Sequence, residues 1–145
     1  MGTTASAYLT GFGRYLPGDP VDNDGIVARL GGEDKVTARI RQRVLDANGI
    51  RQRHYALDEQ GEPTELNEEL AVKALRAALD DRGIRADELR MLACATTIGD
   101  VLVPGFASMV HGRLGGGPMQ LLSASGVCAS SLACPRRGGQ QSQAR

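Results

Sequence analysis

Apolar and polar residues follow one another along this chain in blocks that switch between helix and strand periods. The clearest block is 66–82, where Leu70, Ala71, Ala74, Leu75, Ala78 and Leu79 form one apolar stripe and Glu69 precedes Lys73 by four residues. This spacing predicts a helix closed by Gly83. In 33–47, Val36, Ile40, Val44 and Ala47 recur at helical spacing and Asn48-Gly49 supplies a stop, which predicts a second amphipathic helix. Phe106, Met109, Val110 and Leu114, placed between Pro104 and Gly115-Gly116-Gly117, predict a third.

The remaining apolar runs are too short for helices. Residues 7–13, apolar with β-formers, predict a buried strand ended by Leu16-Pro17-Gly18-Asp19-Pro20. Residues 91–97 and 119–122 read as further buried strands, and 50–57 as a short strand or extended arm before the turn at 58–63. The order strand, helix 66–82, strand 91–97 suggests a right-handed crossover. After Cys134, the string Pro135-Arg136-Arg137-Gly138-Gly139-Gln140-Gln141-Ser142-Gln143 has no apolar residue with which to continue a buried element.

Composition narrows the class. At 145 residues the chain can bury one core, and no more than one compact unit is expected. Seventeen basic residues balance seventeen acidic ones, which removes the broad electrostatic case for nucleic acid or an anionic membrane. No apolar run approaches the roughly 20 residues of a membrane span, and the first residues lack the pattern of an export signal, so a soluble, cytoplasmic protein is expected. Cys94, Cys128 and Cys134 are odd in number and lack metal-ligand spacing, which fits reduced thiols better than a disulfide framework or a zinc site. With Trp absent and Ala, Leu, Val and Gly plentiful, small side chains favour helices packed closely on a sheet, an α/β architecture.

One position carries chemistry. The string Ser123-Ala124-Ser125-Gly126-Val127-Cys128-Ala129-Ser130-Ser131 leaves a strand through a glycine and enters helix-compatible residues, which places Cys128 at or near a helix N-terminus. There the helix dipole and free backbone N–H groups favour a thiolate, and small neighbours give a substrate access to backbone donors able to form an oxyanion hole. Acyl transfer through a thioester is the chemistry this implies. Position alone also allows a small buried hydrophobe in a packed helix.

Motif context separates the two. Tyr8-Leu9-Thr10-Gly11-Phe12-Gly13-Arg14-Tyr15-Leu16-Pro17, Asn48-Gly49-Ile50-Arg51-Gln52-Arg53-His54, Ala95-Thr96-Thr97 and Ser125-Gly126-Val127-Cys128-Ala129-Ser130, in that order and spacing, resemble the 3-oxoacyl-[acyl-carrier-protein] synthase III family. The resemblance runs nearly from Tyr8 to Ala133. It implies a thiolase-like fold, here an incomplete first half with a mixed, mainly parallel sheet and flanking helices, as a partial domain over 1–133 followed by a divergent, disordered tail over 134–145. It implies that Cys128 takes an acyl group from coenzyme A or an acyl carrier protein, with no bound cofactor. The histidine and asparagine that assist decarboxylation and carbon–carbon bond formation come from the family's second half, and neither His54 nor His111 matches that histidine. A truncated acyltransferase, inactive in condensation, is the expectation. A non-catalytic segment that binds a carrier protein or a full-length homologue is the alternative.

The resemblance also bears on partners. Lys35, Arg39, Arg41, Arg43, Arg51 and Arg53 gather around one acidic residue, Asp46, and a local basic surface of this kind suits the phosphates of coenzyme A or an acidic carrier protein, as readily as a solvated helix face. Arg43 and Arg51 are the candidate ligand-binding residues. Relatives place an aromatic residue and an arginine upstream of Gly-Ile-Arg to hold adenine, whereas Arg43 and Ala47 stand here. The string Pro104-Gly105-Phe106-Ala107-Ser108-Met109-Val110-His111-Gly112 is similar to the branch of the family that works in secondary metabolism. The family homodimer pairs through a fifth strand that these residues do not supply, and residues 7–13 are then expected to be an exposed edge.

Overall fold

The computed structural model describes residues 8–30, 35–127, 130 and 131. The chain forms two compact units, Leu16–Glu65 in one and the residues up to Tyr15 and from Leu66 onward in the other. Length alone predicts one unit; the segment between the first glycine-rich string and the long helix is instead compact in its own right.

In the Leu16–Glu65 unit, β1 (Val21–Asp22) pairs antiparallel with β2 (Gln52–Arg53), and α1 (Asn23–Leu30) and α2 (Lys35–Asn48) lie between them in sequence. The short β1 and α1 escape the periodicity reading because the first is two residues long. A local signal exists, however: the Asp22 carboxylate accepts the Gly25 N–H at 2.7 Å, an N-cap for α1. Arg53 donates to the Asn23 side chain at 2.8 Å, and His54 Nδ1 lies 3.2 and 3.1 Å from the carbonyls of Pro17 and Gly18. The 58–63 turn is organised by Asp58, whose carboxylate accepts the N–H groups of Gln60 and Glu62.

Helix α2 ends where its sequence predicts, with Gly49 at φ 69° and the Asn48 side chain accepting the Ile50 N–H. Its orientation is a surprise. Leu45 is buried, whereas Ile40 and Val44 of the apolar stripe are 60% and 55% exposed. Of the stripe that periodicity singles out, Ile40, Val44 and Ala47 face outward.

In the other unit, α3 (Asn67–Arg82) opens with the Leu66 N–H bonded to the Glu69 carboxylate at 2.9 Å and ends at Gly83, φ 63°, with Ile84 N–H reaching back to Leu79 O. A single 3-10 turn, Ala86–Glu88, follows. There Arg85 forks onto Asp87, which lowers the Asp87 carboxyl below its ordinary range through that hydrogen bond and raises Arg85. Next come β3 (Met91–Thr96), α4 (Phe106–Leu114) and β4 (Gln120–Ser125). β3 and β4 pair in parallel from Met91↔Gln120 to Thr96↔Ser125, so both strands end at one level. Val72, Leu79, Leu92, Val110 and Leu114 form the buried core, with Leu75, Cys94, Phe106 and Met119 packed against it. Ala107, fully buried, keeps the first turn of α4 free of a bulky side chain.

Residues 8–13 do not form the predicted strand. Tyr8, Leu9 and Phe12 are 81%, 81% and 74% exposed, and the sheet of this unit contains β3 and β4 alone among the described residues. A buried strand requires ladder partners for its N–H and C=O groups, and 8–13 has none there. It runs against α3 instead: a Cβ on Gly13 would lie 2.3 Å from Ala74 O and Ala78 N. The parallel connection among the described residues is β3–α4–β4. Glu69, predicted to face Lys73, bonds Arg113 at 2.7 Å, while the Lys73 ammonium sits 4.6 Å from the centroid of the Tyr15 ring. The boundary at 133/134 and the tail over 134–145 lie outside the described residues.

Candidate active site

In a parallel sheet the strand ends and the loops leaving them collect functional groups. The loop after β3 is tied at three points. Thr96 Oγ1 donates to Ile98 O at 2.8 Å, the Asp100 carboxylate accepts both the backbone and side-chain N–H of Asn67 at 3.1 and 2.9 Å, and Gly105 lies so near β4 that a Cβ would stand 2.9 Å from Ser123 Oγ. Asp100 thus places a negative charge on the first N–H of α3, where the helix dipole favours it. Ser123 Oγ accepts the Ala107 N–H at 2.9 Å and caps α4 from the neighbouring strand. Between these anchors Val101, Leu102 and Val103 remain exposed.

The exit of β4 carries the chemistry-bearing string. Past Ser125 the chain turns at Gly126 and Val127 and is helical at Ser130 and Ser131. Ser130 closes the turn, with its N–H 3.4 Å from Val127 O and its hydroxyl 3.2 and 3.1 Å from the carbonyls of Gly126 and Val127. Strand, glycine turn and helix therefore follow in the order read from the sequence. Cys128 itself, with Ala129, lies outside the described residues. The Gly126 backbone does not demand glycine, since its φ is not positive and a Cβ would meet Ser130 Cβ at an ordinary 3.5 Å.

The other candidate residues fall in the Leu16–Glu65 unit. Arg43 is exposed on α2, and Arg51 is exposed between the Gly49 turn and β2. The two histidines are held by backbone: His54 by the carbonyls named above, His111 Nε2 by Gly117 O at 3.3 Å. A carbonyl only accepts, so each of these nitrogens carries its proton and faces a structural partner. Sequence reasoning missed Asn67, Asp100 and Ser123. Asn67 at a helix start was the one signal available; the others act across 33 and 16 residues. Among the described residues no group of three His, Cys, Asp or Glu side chains is placed to hold a metal ion, and no helix is long and apolar enough to cross a membrane.

No protein-family profile matches the chain. Individual proteins do. A β-ketoacyl-[acyl-carrier-protein] synthase III of Hyphomonas neptunium is 33% identical over 126 residues, 87% of this chain and 35% of that protein. One from Cereibacter sphaeroides is 37% identical over 112 residues, 77% of this chain and 31% of that protein. Among solved structures, AbyA1, a tetronic acid condensing enzyme, superposes with a TM-score of 0.77 at 28% identity over 90% of this chain and 39% of its own. A synthase III from Pseudomonas aeruginosa gives 0.66 at 27% identity. The chain therefore spans about a third of the length of the curated relatives it matches.

The fold that these helices and strands define is an incomplete α/β thiolase-like fold. Within that class the chain is β-ketoacyl-[acyl-carrier-protein] synthase III-like and corresponds to part of that family's length.

Proposed function

We propose that this chain carries the acyl-accepting segment of a synthase III-type condensing enzyme, with Cys128 as its nucleophile. The observation that carries the reading is the turn from parallel β4 through Gly126 into a helical Ser130 and Ser131, closed by the Ser130 hydroxyl. A cysteine within such a turn is favoured as thiolate. Its sulfur attacks the carbonyl carbon of an acyl thioester, the carbonyl electrons move to oxygen, and collapse expels the donor thiolate, which takes a proton as an acyl-cysteine remains.

The donor is an acyl-coenzyme A or an acyl carrier protein used as substrate, no resident cofactor is required, and Arg43 and Arg51 are available to its anionic groups. The decarboxylating condensation needs the histidine and asparagine that the resemblance places in the family's second half. We read the 145 residues as competent for loading at most and inactive in condensation. Cytoplasmic placement and a role in polyketide-type secondary metabolism complete the reading, the latter supported by the 104–112 string and by likeness to a tetronic acid condensing enzyme.

Incubation with an acyl-coenzyme A or an acyl carrier protein, followed by intact-mass analysis, is expected to give an adduct at Cys128 that is lost in Cys128→Ala. A folded chain that takes no acyl group overturns the proposal.

A further inference from the structure

Helix α4 takes its N-terminal cap from another element. Its own N-cap residue is Gly105, which offers no side-chain acceptor. Ser108 and Met109 return their N–H groups to Gly105 O, but the Ala107 N–H of the first turn needs an acceptor from outside the helix. That acceptor is Ser123 Oγ on β4, at 2.9 Å. The glycine makes the approach possible, since a Cβ at 105 would stand 2.9 Å from the same oxygen. A serine or asparagine at 105 would cap the helix locally. A glycine there, facing a serine on the strand, joins the two elements instead.

The strand so joined is the one that feeds the nucleophile's turn. Among the described residues β4 is bonded along one side only, to β3, and its last rungs are Cys94↔Ser123, Ala95↔Ala124 and Thr96↔Ser125. The end of a strand paired on one side frays unless something else holds it, and the turn at Gly126 and Val127 begins directly after Ser125. Ser123 supplies that hold from the α4 side. The helix is a firm base for it, because Ala107 and Val110 are 0% and 1% exposed and Leu114 lies in the core. The loop leading into α4 is fixed as well, where the Asp100 carboxylate accepts both N–H groups of Asn67 at the start of α3. Removing that anchor would lengthen the free segment that carries the first turn of α4.

We propose that Ser123 is a positioning residue for acyl loading: it ties the end of β4 to α4 and so fixes the turn that presents Cys128. This rests on the function proposed above. Asn67 supports Ser123 from the other end of the 98–105 loop, and neither residue touches the donor. A displaced turn costs rate in preference to donor affinity, because alignment of the sulfur with the thioester carbonyl is required in the transition state.

Single-turnover loading of the full chain by acetyl-coenzyme A, followed by intact mass at several donor concentrations, separates rate from half-saturation. Ser123→Ala is expected to load Cys128 about tenfold or more slowly at an unchanged half-saturating concentration. Ser123→Thr, which keeps the acceptor oxygen, is expected to recover most of the rate. Asn67→Ala is expected to give a smaller loss that does not add to that of Ser123→Ala. Leu79→Ala, which opens the core near the C-terminal end of α3, is expected to lower the melting temperature at least as far and to leave loading by the folded chain at the parental rate. Iodoacetamide labelling of Cys128, resolved by peptide mapping, reads the same turn without an acyl donor and is expected to slow in Ser123→Ala and recover in Ser123→Thr. Parental loading and labelling in Ser123→Ala, a loss matched by Leu79→Ala, a raised half-saturating concentration with the rate intact, or no recovery in Ser123→Thr would each overturn the inference. If Ser123→Ala does not fold, Asn67→Ala decides on the same readings. A parent chain that takes no acyl group from coenzyme A or a carrier protein, with labelling of Cys128 still slowed in Ser123→Ala, removes the proposed function and keeps this inference; equal loading by parent and Ser123→Ala does the reverse.

Discussion

Gly126 shows how a single residue separates folding from chemistry. Its described neighbours leave room for a methyl group, and its backbone lies outside the left-handed region. Nothing in the described packing requires glycine there, so the requirement, if the proposed loading reaction occurs beside it, is imposed by the substrate. Gly126→Ala is accordingly expected to keep stability within about 0.5 kcal/mol of the parent while slowing acyl-adduct formation at Cys128 by on the order of tenfold or more. Thermal melts and time-resolved intact mass measure the two arms; a variant that unfolds makes the glycine structural, and one that loads at the parental rate removes the close-approach role. Glu68 is the contrasting residue. It is 3% exposed, its Oε1 accepts from Arg113 Nε at 3.0 Å, and its other oxygen has no hydrogen-bond partner among the described residues. A sequence pattern that places glutamates at a helix start announces a solvated dipole partner; burial of Glu68 depends on Arg113, 45 positions away, and no local pattern carries that information.

Elements were legible where local chemistry decides them. Helices α3 and α4 fall on their predicted blocks because apolar spacing, glycine stops and, for α4, the preceding proline agree, and β3 and β4 because short apolar runs follow helices. The site's strand, glycine turn and helix order was legible for the same reason. Residues 8–13 failed because a strand is a relation between two segments, and their composition says nothing of whether a partner is present. Their actual lodging depends on the smallest side chain. With Gly13 2.3 Å from the α3 backbone at the Cβ position, Gly13→Ala must displace the segment or the helix, at an expected cost of about 1–3 kcal/mol. Gly112→Ala on α4, where a Cβ meets nothing within 4 Å, is expected to stabilise by about 0.5–1 kcal/mol. Denaturant unfolding of the two variants side by side checks both signs, and hydrogen exchange of residues 8–14 is expected to speed up only in the first. Equal effects from both substitutions would mean that the contact with α3 is not what holds the segment.

At the scale of the whole molecule, the balance of exposed surface decides behaviour in solution. Parallel sheets are ordinarily covered on both faces and extended beyond two strands, yet β3 and β4 form a two-stranded sheet among the described residues. In the same unit Leu102 is 98% exposed, Val103 82%, Tyr8 and Leu9 81% each, Ile98 76% and Val127 73%. Scattered apolar residues are normal on a surface, but the run 101–103, anchored by Asp100 on one side and Gly105 against Ser123 on the other, presents three consecutive aliphatic side chains to solvent. The zero formal net charge supplies no long-range repulsion between copies. Purified 145-residue chain is therefore expected to associate as concentration rises and to bind a hydrophobic dye, observed by light scattering coupled to size exclusion. Leu102→Glu/Val103→Lys is expected to reduce both more than an equivalent pair of substitutions at exposed polar positions. The covering surface is expected to be protein, so a full-length synthase III relative in the mixture should compete with self-association. A monodisperse monomer with one cooperative thermal transition and no dye binding would show that the exposed apolar surface is tolerated, and that the two-stranded sheet is sufficient by itself.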